Sequence, residues 1–567
     1  MMLNEMGGMR VQATSPSLGA ASVRIQGMKG RYTRFLSDGL PLFGERVSLG
    51  LMQIPPMDLG RVEVIKGATS SLYGAGAIGG VVNLVSRRPG PTTERQVLVN
   101  RSTRGATDVA AWYSAPISDR WGLTWLGSVN GQRRNDIDRD GWADVPRYER
   151  VVVRPRLYWD NRAGRSLFAT AGGTWEDRIG GTMPGTVLQA IGPYVEALRT
   201  RRGDVGATFQ TVSGGGVMWT ARGSWVTQHQ THELGETTER DERDTAFLEI
   251  TARRAVARHT VVAGVAFQRD RFRPTDLPQF AYLYAVPGVF VQDDVDIARW
   301  LVVSASLRVD RHNRFGAFAS PQMSGIVRRG LWSSRISFGT GFSAPTPITE
   351  ETDAAGLSRL TVESPLQAER GRSLSIDLTR RHGPLSATLT AFYSKVTRPV
   401  EVDRADRFVL ANQGGPTTNV GLEALGIWSA QGFSLVGNYT FVRSRESDAG
   451  RRVDVPLTPR HSLGVDAARE WDRGTRLGVE WFYTGTQRLD ANPYREQSAP
   501  YSVFGILVTQ RFGHVQLFVN GENLTGVRQT SWEPLLRPTR NVDGRWTVDA
   551  WAPLDGRNVN AGLRVSF

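Results

Sequence analysis

From Arg95 to the last residue, apolar and polar side chains alternate in short runs. Across Trp121–Asn130, Trp121, Leu123, Trp125 and Val129 share one face while Thr124, Ser128 and Asn130 take the other. Leu301–Asp310 sets Leu301, Val303, Ala305, Leu307 and Val309 against Ser304, Ser306, Arg308 and Asp310; Leu385–Ser394 and Val559–Phe567 repeat the arrangement. Period two of this kind marks strands with one apolar face. The connections alternate as well. Short polar turns (ISDR at 117–120, NRAGR at 161–165, DIAR at 296–299, RRG at 328–330, RHG at 381–383, DRG at 472–474) take turns with long loops near 131–146, 177–202, 345–365, 398–416, 487–499 and 523–557. Short on one side and long on the other is the layout of a closed transmembrane barrel. The 473 residues from Arg95 to Phe567, at roughly 21 residues per strand and connection, make about 22 antiparallel strands. A soluble propeller would also alternate, but it would repeat every ~40–50 residues, and no such repeat occurs. Aromatic residues such as Trp121, Trp300, Trp332 and Trp481 fall near strand ends, as in interfacial girdles.

The first ninety residues have another texture. GRVEVIKGATSSLYGAGAIGGVVNLVSRRP, at 60–89, packs glycines and short β-branched runs together. The break after it divides the chain into residues 1–92 and 93–567. A barrel of about 22 strands has a lumen wide enough for a folded plug. Such a plug must be small and turn-rich, and glycine lets its backbone turn sharply and approach the wall.

Composition narrows the classes. No stretch of about 18 apolar residues exists, so no transmembrane helix is expected. The net charge is +14, nearly all arginine, since Lys29, Lys66 and Lys395 are the only lysines. Arginine suits an anionic lipid or ligand; scattered as it is here, without a basic run, it points to no nucleic-acid partner. Cysteine is absent, which excludes thiol chemistry and suits an exported chain. MMLNEMGGMRVQ shows no signal peptide.

The segment RVEVIKGATSSLYGAGAIGGVVNLVSRRP resembles the plug signature of TonB-dependent outer-membrane receptors almost continuously. VRIQGMKGRYTRFLSDGLPL (23–42) resembles the family's I-R-G and D-G-[VLI]-P segments. In the barrel, GFSAPTPITEE (341–351), NVGLEA (419–424), PLTPRHS (456–462), ENLTGVRQ (522–529) and the terminal Phe567 resemble further family elements. The resemblance implies an all-β membrane protein with a small N-terminal α/β plug inside the lumen, placed in the cell outer membrane among its lipids as a monomer. It also implies an upstream segment carrying a signal peptide, a TonB box and the first part of the plug. Through that segment the TonB–ExbB–ExbD energy complex would act. Two plug arginines of the family pair with barrel carboxylates. Here those positions hold Gln26 and Lys66, so half of the ion cluster is expected to weaken; Arg24, a strand neighbour of Gln26, should point the other way. Arg61 and Glu63 are placed with Gln26 and Lys66 as plug–barrel contacts.

Two plug loops are candidates for ligand contact: Lys29, Arg31, Tyr32 and Arg34 in the first, Phe43 and Arg46 in the second. Guanidinium groups and rings together suit an anionic, aromatic iron chelate. DIDRDGWAD (136–144) sets Asp136, Asp138 and Asp140 two apart before Gly141, with Asp144 following, the opening of a calcium loop whose last position is Arg147 rather than Glu. Calcium there would stiffen a loop; no other cofactor is required. His229 and His232, in QHQTHELGE, sit in an expected loop, and their spacing does not place both rings on one side. No nucleophile elbow, Walker loop or zinc signature occurs, so no enzyme activity is expected. The resemblance implies active import of a scarce ligand, a ferric siderophore first; cobalamin, another metal chelate, a glycan, or a passive or gated pore are the alternatives.

Overall fold

The computed structural model describes residues 6–42, 56–188, 192–448 and 450–567. Twenty-two antiparallel strands, from Glu94–Ser102 to Asn558–Ser566, close into a barrel. The last strand pairs with the first, Asn560 opposite Ser102 and Ser566 opposite Gln96. A further short strand, Arg451–Asp454, folds back on the tip of Phe433–Asp448 and stays out of the ring, because Phe433–Asp448 also pairs with His461–Glu470.

The alternating runs become the strands Trp121–Gln132, Leu301–His312, Leu385–Thr397 and Asn558–Ser566. Their apolar faces turn outward. Trp121, Trp125, Val129, Leu307, Val309, Leu385, Leu389 and Leu563 are exposed, while Thr124, Ser128, Arg308 and Asp310 are buried toward the lumen. This inverts the rule for a protein surrounded by water, and a continuous apolar belt is what a hydrocarbon surrounding selects. Trp121, Trp300 and Trp332, all exposed, stand at the short-turn end of the belt.

Several strands outrun their alternation. Thr237–Val256 has 20 residues. The loop expected over 177–202 contracts to 182–194, because Arg165–Gly181 and Val195–Val212 stay paired up to Gly181 and Val195. His229 and His232 lie in the strand Met218–Leu234 rather than in a loop. His229 is exposed and His232 buried, on opposite faces, as their spacing requires on a strand.

Among the described residues the plug is built from five strands: β1 (Met9–Ser15), β2 (Ala20–Ile25), β3 (Thr33–Ser37), β4 (Leu59–Lys66) and β5 (Gly80–Ser86), with one α-helical turn at Ser70–Tyr73. β1 and β2 form an antiparallel hairpin; β5 lies between β3, its parallel neighbour, and β4, its antiparallel one. Met9, Val23, Ile25, Val82 and Leu84 make a small core between hairpin and sheet. Two glycines show why the segment is so rich in them. Gly80 sits at φ +146°, and a Cβ there would lie 2.4 Å from the Ile65 carbonyl oxygen. Gly180 is on the wall, where a Cβ would lie 2.0 Å from the carbonyl oxygen of Ser17 in the plug. The first lets the start of β5 pair closely with the end of β4; the second lets the plug touch the barrel. Residues 87–93 link the end of β5 to the first barrel strand.

Candidate functional site

The plug is seated by charges. At mid-wall, Glu423 on the strand Thr417–Ala430 accepts a hydrogen bond from Gln26 Nε2 at 2.8 Å and an ion-pair contact from Lys66 Nζ. Glutamine thus keeps a donor on this carboxylate without the charge. Arg24 points the other way, to Glu350 at 2.8 Å and to the carbonyl oxygen of Pro456. Arg61 and Glu63 do not reach the wall. They lie two apart on β4, share an exposed face and pair with each other at 2.7 Å, and Asn83 of β5 donates to Glu63 at 2.9 Å. Period two, which puts both side chains on one side, favours this local pair over a wall contact.

Nearer the short-turn end, Arg156 of the wall donates both terminal nitrogens to Asp58 of the plug, at 2.6 and 2.5 Å, with Asp38 at 3.6 Å. Arg156 is 2 % exposed and Asp58 3 %. A fork-to-fork pair this deep fixes orientation as well as charge. Nothing in the sequence marked Asp58 or Arg156; Asp38 stood in the quoted D-G segment without a role.

At the long-loop end, Lys29 and Arg31, expected to meet a ligand, meet carboxylates of the wall and of the long loops instead. Lys29 pairs with Glu401 and lies 3.6 Å from Glu351. Arg31 reaches Glu401 at 3.1 Å, Glu369 at 3.3 Å and the Tyr32 hydroxyl at 2.7 Å. The Tyr32 hydroxyl donates to Glu369 at 2.6 Å, and the Val400 N–H donates to the same carboxylate at 2.8 Å. Arg34 bonds Gln268 at 3.0 Å and the carbonyl oxygens of Tyr73 and Ala75. Arg31, Tyr32 and Arg34 are buried. A guanidinium desolvated inside a lumen needs a partner, and the strand tops and the loop 398–416 supply it. Phe43 and Arg46 lie outside the described residues.

Above these pairs a cavity of about 560 Å³ opens between the plug apex and the long loops. Plug residues Ala13, Thr14, Arg24 and Lys29 form its floor; the loops 398–416, 485–500 and 523–557 contribute Arg404, Asp490 and Asp549 to its sides. Arg404 ties these loops together, reaching Asp490 at 3.1 Å and Asp549 at 3.0 Å. Burial pushes the Glu351 and Asp549 carboxyls up, but the cations around them outweigh it: Lys29 and Arg404 hold Glu351, and Arg404 and Arg545 hold Asp549, well below the usual carboxylate range. No sequence signal pointed to Arg404. A second cavity, about 1070 Å³, lies at the short-turn end between the linker at Arg88–Pro91 and the turn at Ser118–Gly122.

In the loop 133–146, carboxylate oxygens of Asp136, Asp138 and Asp144 lie within 4.8 Å of one another. Asp140 is not among them: its carboxylate turns to accept the Trp142 N–H at 2.7 Å, because the turn at Gly141 (φ +91°) breaks the alternation the spacing suggested. Trp142 is buried and stacks on Tyr194, anchoring the loop. Burial, and then the neighbouring carboxylates, push Asp140 up to about 6 and Asp144 up to about 7. Both groups thus hold protons in the fold that the unfolded chain releases near 3.8, so the cation-free loop loses stability as pH rises from there toward 7.

Two family models match the chain: the TonB-dependent Receptor Plug Domain over residues 1–81, and the TonB dependent receptor-like beta-barrel over residues 92–524. The chain belongs to the TonB-dependent receptor family. Receptors of this family are transport proteins rather than enzymes. Among similar receptors, the iron-regulated outer membrane virulence protein of Vibrio cholerae is 24 % identical over 504 residues, 80 % of this chain and 74 % of that one. The ferrioxamine receptor of Yersinia enterocolitica is 36 % identical over 135 residues, 24 % of this chain and 18 % of that one. The ferric enterobactin receptor of Pseudomonas aeruginosa, solved with enterobactin, superposes with a TM-score of 0.80 at 16 % identity, covering 100 % of this receptor and 96 % of that chain. At that identity the match speaks for the fold.

Proposed function

We propose that this receptor imports a ferric siderophore across the outer membrane. The long loops face outside, the short turns face the periplasm, and the apolar belt takes outer-membrane lipid around a single chain. The observation that carries the reading is the position of the 560 Å³ cavity above a plug pinned to the wall by Glu423 and Arg156. A ligand held there has no way on until those contacts are loosened. The TonB–ExbB–ExbD complex, pulling on the plug from the periplasm, supplies the work. Two relatives carry the name of an iron chelate, ferrioxamine in one and ferric enterobactin in the other.

The test is radioiron uptake in an iron-starved Gram-negative host stripped of its own receptors. Uptake of a ferric chelate is expected with this chain and an intact TonB system, and only background without TonB. Equal uptake in both hosts would mean a pore and overturn the proposal.

Calcium belongs to the proposal in a supporting role: Asp136, Asp138 and Asp144 hold the cation and stiffen the outer loop. Because Asp144 keeps its proton up to about pH 7, calcium must displace that proton. Calorimetric titration is expected to show affinity falling roughly five- to tenfold between pH 7 and pH 6, and heat of binding lost in Asp144→Asn. Unchanged affinity across that range would rule the site out.

A further inference from the structure

The cavity under the long loops is lined by ten carboxylates and six cations. Five of the six cations already have carboxylate partners. Arg24 pairs with Glu350, Lys29 with Glu401, Arg404 with Asp490 and Asp549, Arg488 with Asp448, and Arg545 with Asp543 and Asp549. Arg407 is the lining cation in no ion pair among the described residues. Against it stand Glu363, Asp403 and Asp406, three exposed carboxylates that are likewise in no ion pair. Among the described residues, Glu446, 9 % exposed and bordering the same cavity, has one carboxylate oxygen without a hydrogen-bond partner; so has Glu351. A buried acceptor left without a donor is costly, and a ligand bringing N–H or ammonium groups to this wall relieves that cost. A polyanion, by contrast, meets walls of its own sign, and like charges brought together across an interface disfavour the complex.

We infer that the vestibule selects ferric chelates of zero or positive net charge, the tris-hydroxamate class, and rejects the polyanionic tris-catecholates. Three hydroxamates neutralise ferric iron and leave any side-chain amine to set the charge; three catecholates leave the complex a trianion. The carboxylates at Glu363, Asp403 and Asp406 then attract a cationic chelate from a distance, and the inner carboxylates receive its donors. This rests on the siderophore reading above and reverses the anionic cargo expected from Lys29, Arg31 and Tyr32, because Glu369 and Glu401 cancel the charges of Lys29 and Arg31.

The test is fluorescence-quenching titration of the purified full chain in detergent with three ferric probes: ferrioxamine B, a monocation; its N-acetylated neutral form; and ferric enterobactin, a trianion. The monocation is expected to bind tightest, the neutral form a few-fold weaker, and the trianion weaker than the monocation by on the order of tenfold or more. The triple variant Glu363→Gln, Asp403→Asn, Asp406→Asn changes exposed side chains only. It is expected to bring monocation and neutral form within about twofold of each other, chiefly by weakening the monocation. Tightest binding of the trianion would overturn the charge selection and leave the siderophore reading standing. Absence of binding by all three chelates would overturn that reading, and this one with it.

Discussion

Arg156→Met is expected to unseat the plug while the barrel stays closed. The substitution removes the guanidinium that forks onto Asp58 at 2.5 and 2.6 Å and leaves Asp58 and Asp38 buried together with no cation between them. Stranding buried charge in this way costs about 3–5 kcal/mol. The unbranched methionine stem follows the path of the arginine stem, so the loss is one of charge and hydrogen bonds more than of packing. The wall itself is held by backbone pairing along Arg147–Asp160, which the change does not touch. Protease cleavage of the plug across a urea series should therefore begin at clearly lower urea than in the parent, with the barrel core still resistant. In planar bilayers the variant should pass current where the parent passes little. Arg156→Lys keeps a charge but loses the fork and should fall between the two. Adding Asp38→Asn and Asp58→Asn to Arg156→Met should restore most of the loss, since no unpaired charge then remains. An unchanged urea threshold in Arg156→Met would refute the seating role.

The barrel was legible in the sequence because alternation is local. Whether Leu385 and Leu389 face out depends on two-residue periodicity and on nothing far away. The plug was legible because Gly80 and its neighbours are dictated by backbone geometry, which few other residues satisfy. Gln26 and Lys66 were set against barrel carboxylates by the resemblance, but nothing in the sequence named Glu423 as the one they share. What sequence does not encode locally is which charge meets which. Lys29 and Glu401 are 372 positions apart, and only closure of the barrel around the plug brings them together. A loop carrying Lys29, Arg31 and Tyr32 therefore looks like a cationic ligand site until the carboxylates of Glu369 and Glu401 are seen beside it. The same blindness hid Arg404, which gathers carboxylates from two other loops. Arg61 and Glu63 are a different case: period two already placed them side by side, and that local fact outweighed the expected wall contact. Asp140 shows the limit of spacing arguments in a turn, where one glycine with positive φ turns a carboxylate out of a cluster its neighbours still form.

Glu369→Ala should weaken ligand binding without loosening the rest of the plug. Glu369 stands at the top of the strand Glu369–His382 and is 1 % exposed. It receives the Tyr32 hydroxyl and Arg31 from the plug and the Val400 N–H from the loop 398–416. One carboxylate thus joins plug apex, wall and loop. Removing it leaves the Tyr32 hydroxyl and the Val400 N–H without their acceptor and halves the carboxylate partners of Arg31, whose remaining one is Glu401. Two orphaned neutral donors and a half-paired cation amount to about 2–4 kcal/mol. That cost falls on the local arrangement, because Glu423 and Arg156 still hold the plug below. The loop it frees carries Val402, Asp403, Arg404 and Asp406 into the cavity wall. Affinity for a ferric chelate should drop by about thirtyfold to several hundredfold, since every 1.4 kcal/mol is a factor of ten, while the urea threshold for plug cleavage stays near the parent's. Tyr32→Phe, which removes one donor and leaves Glu369 its other two, should cost only about 1 kcal/mol, or several-fold in affinity. If Glu369→Ala lowers the plug threshold as far as Arg156→Met does, the apex is part of the seat rather than of the binding surface, and the division of labour between the two ends of the plug is wrong.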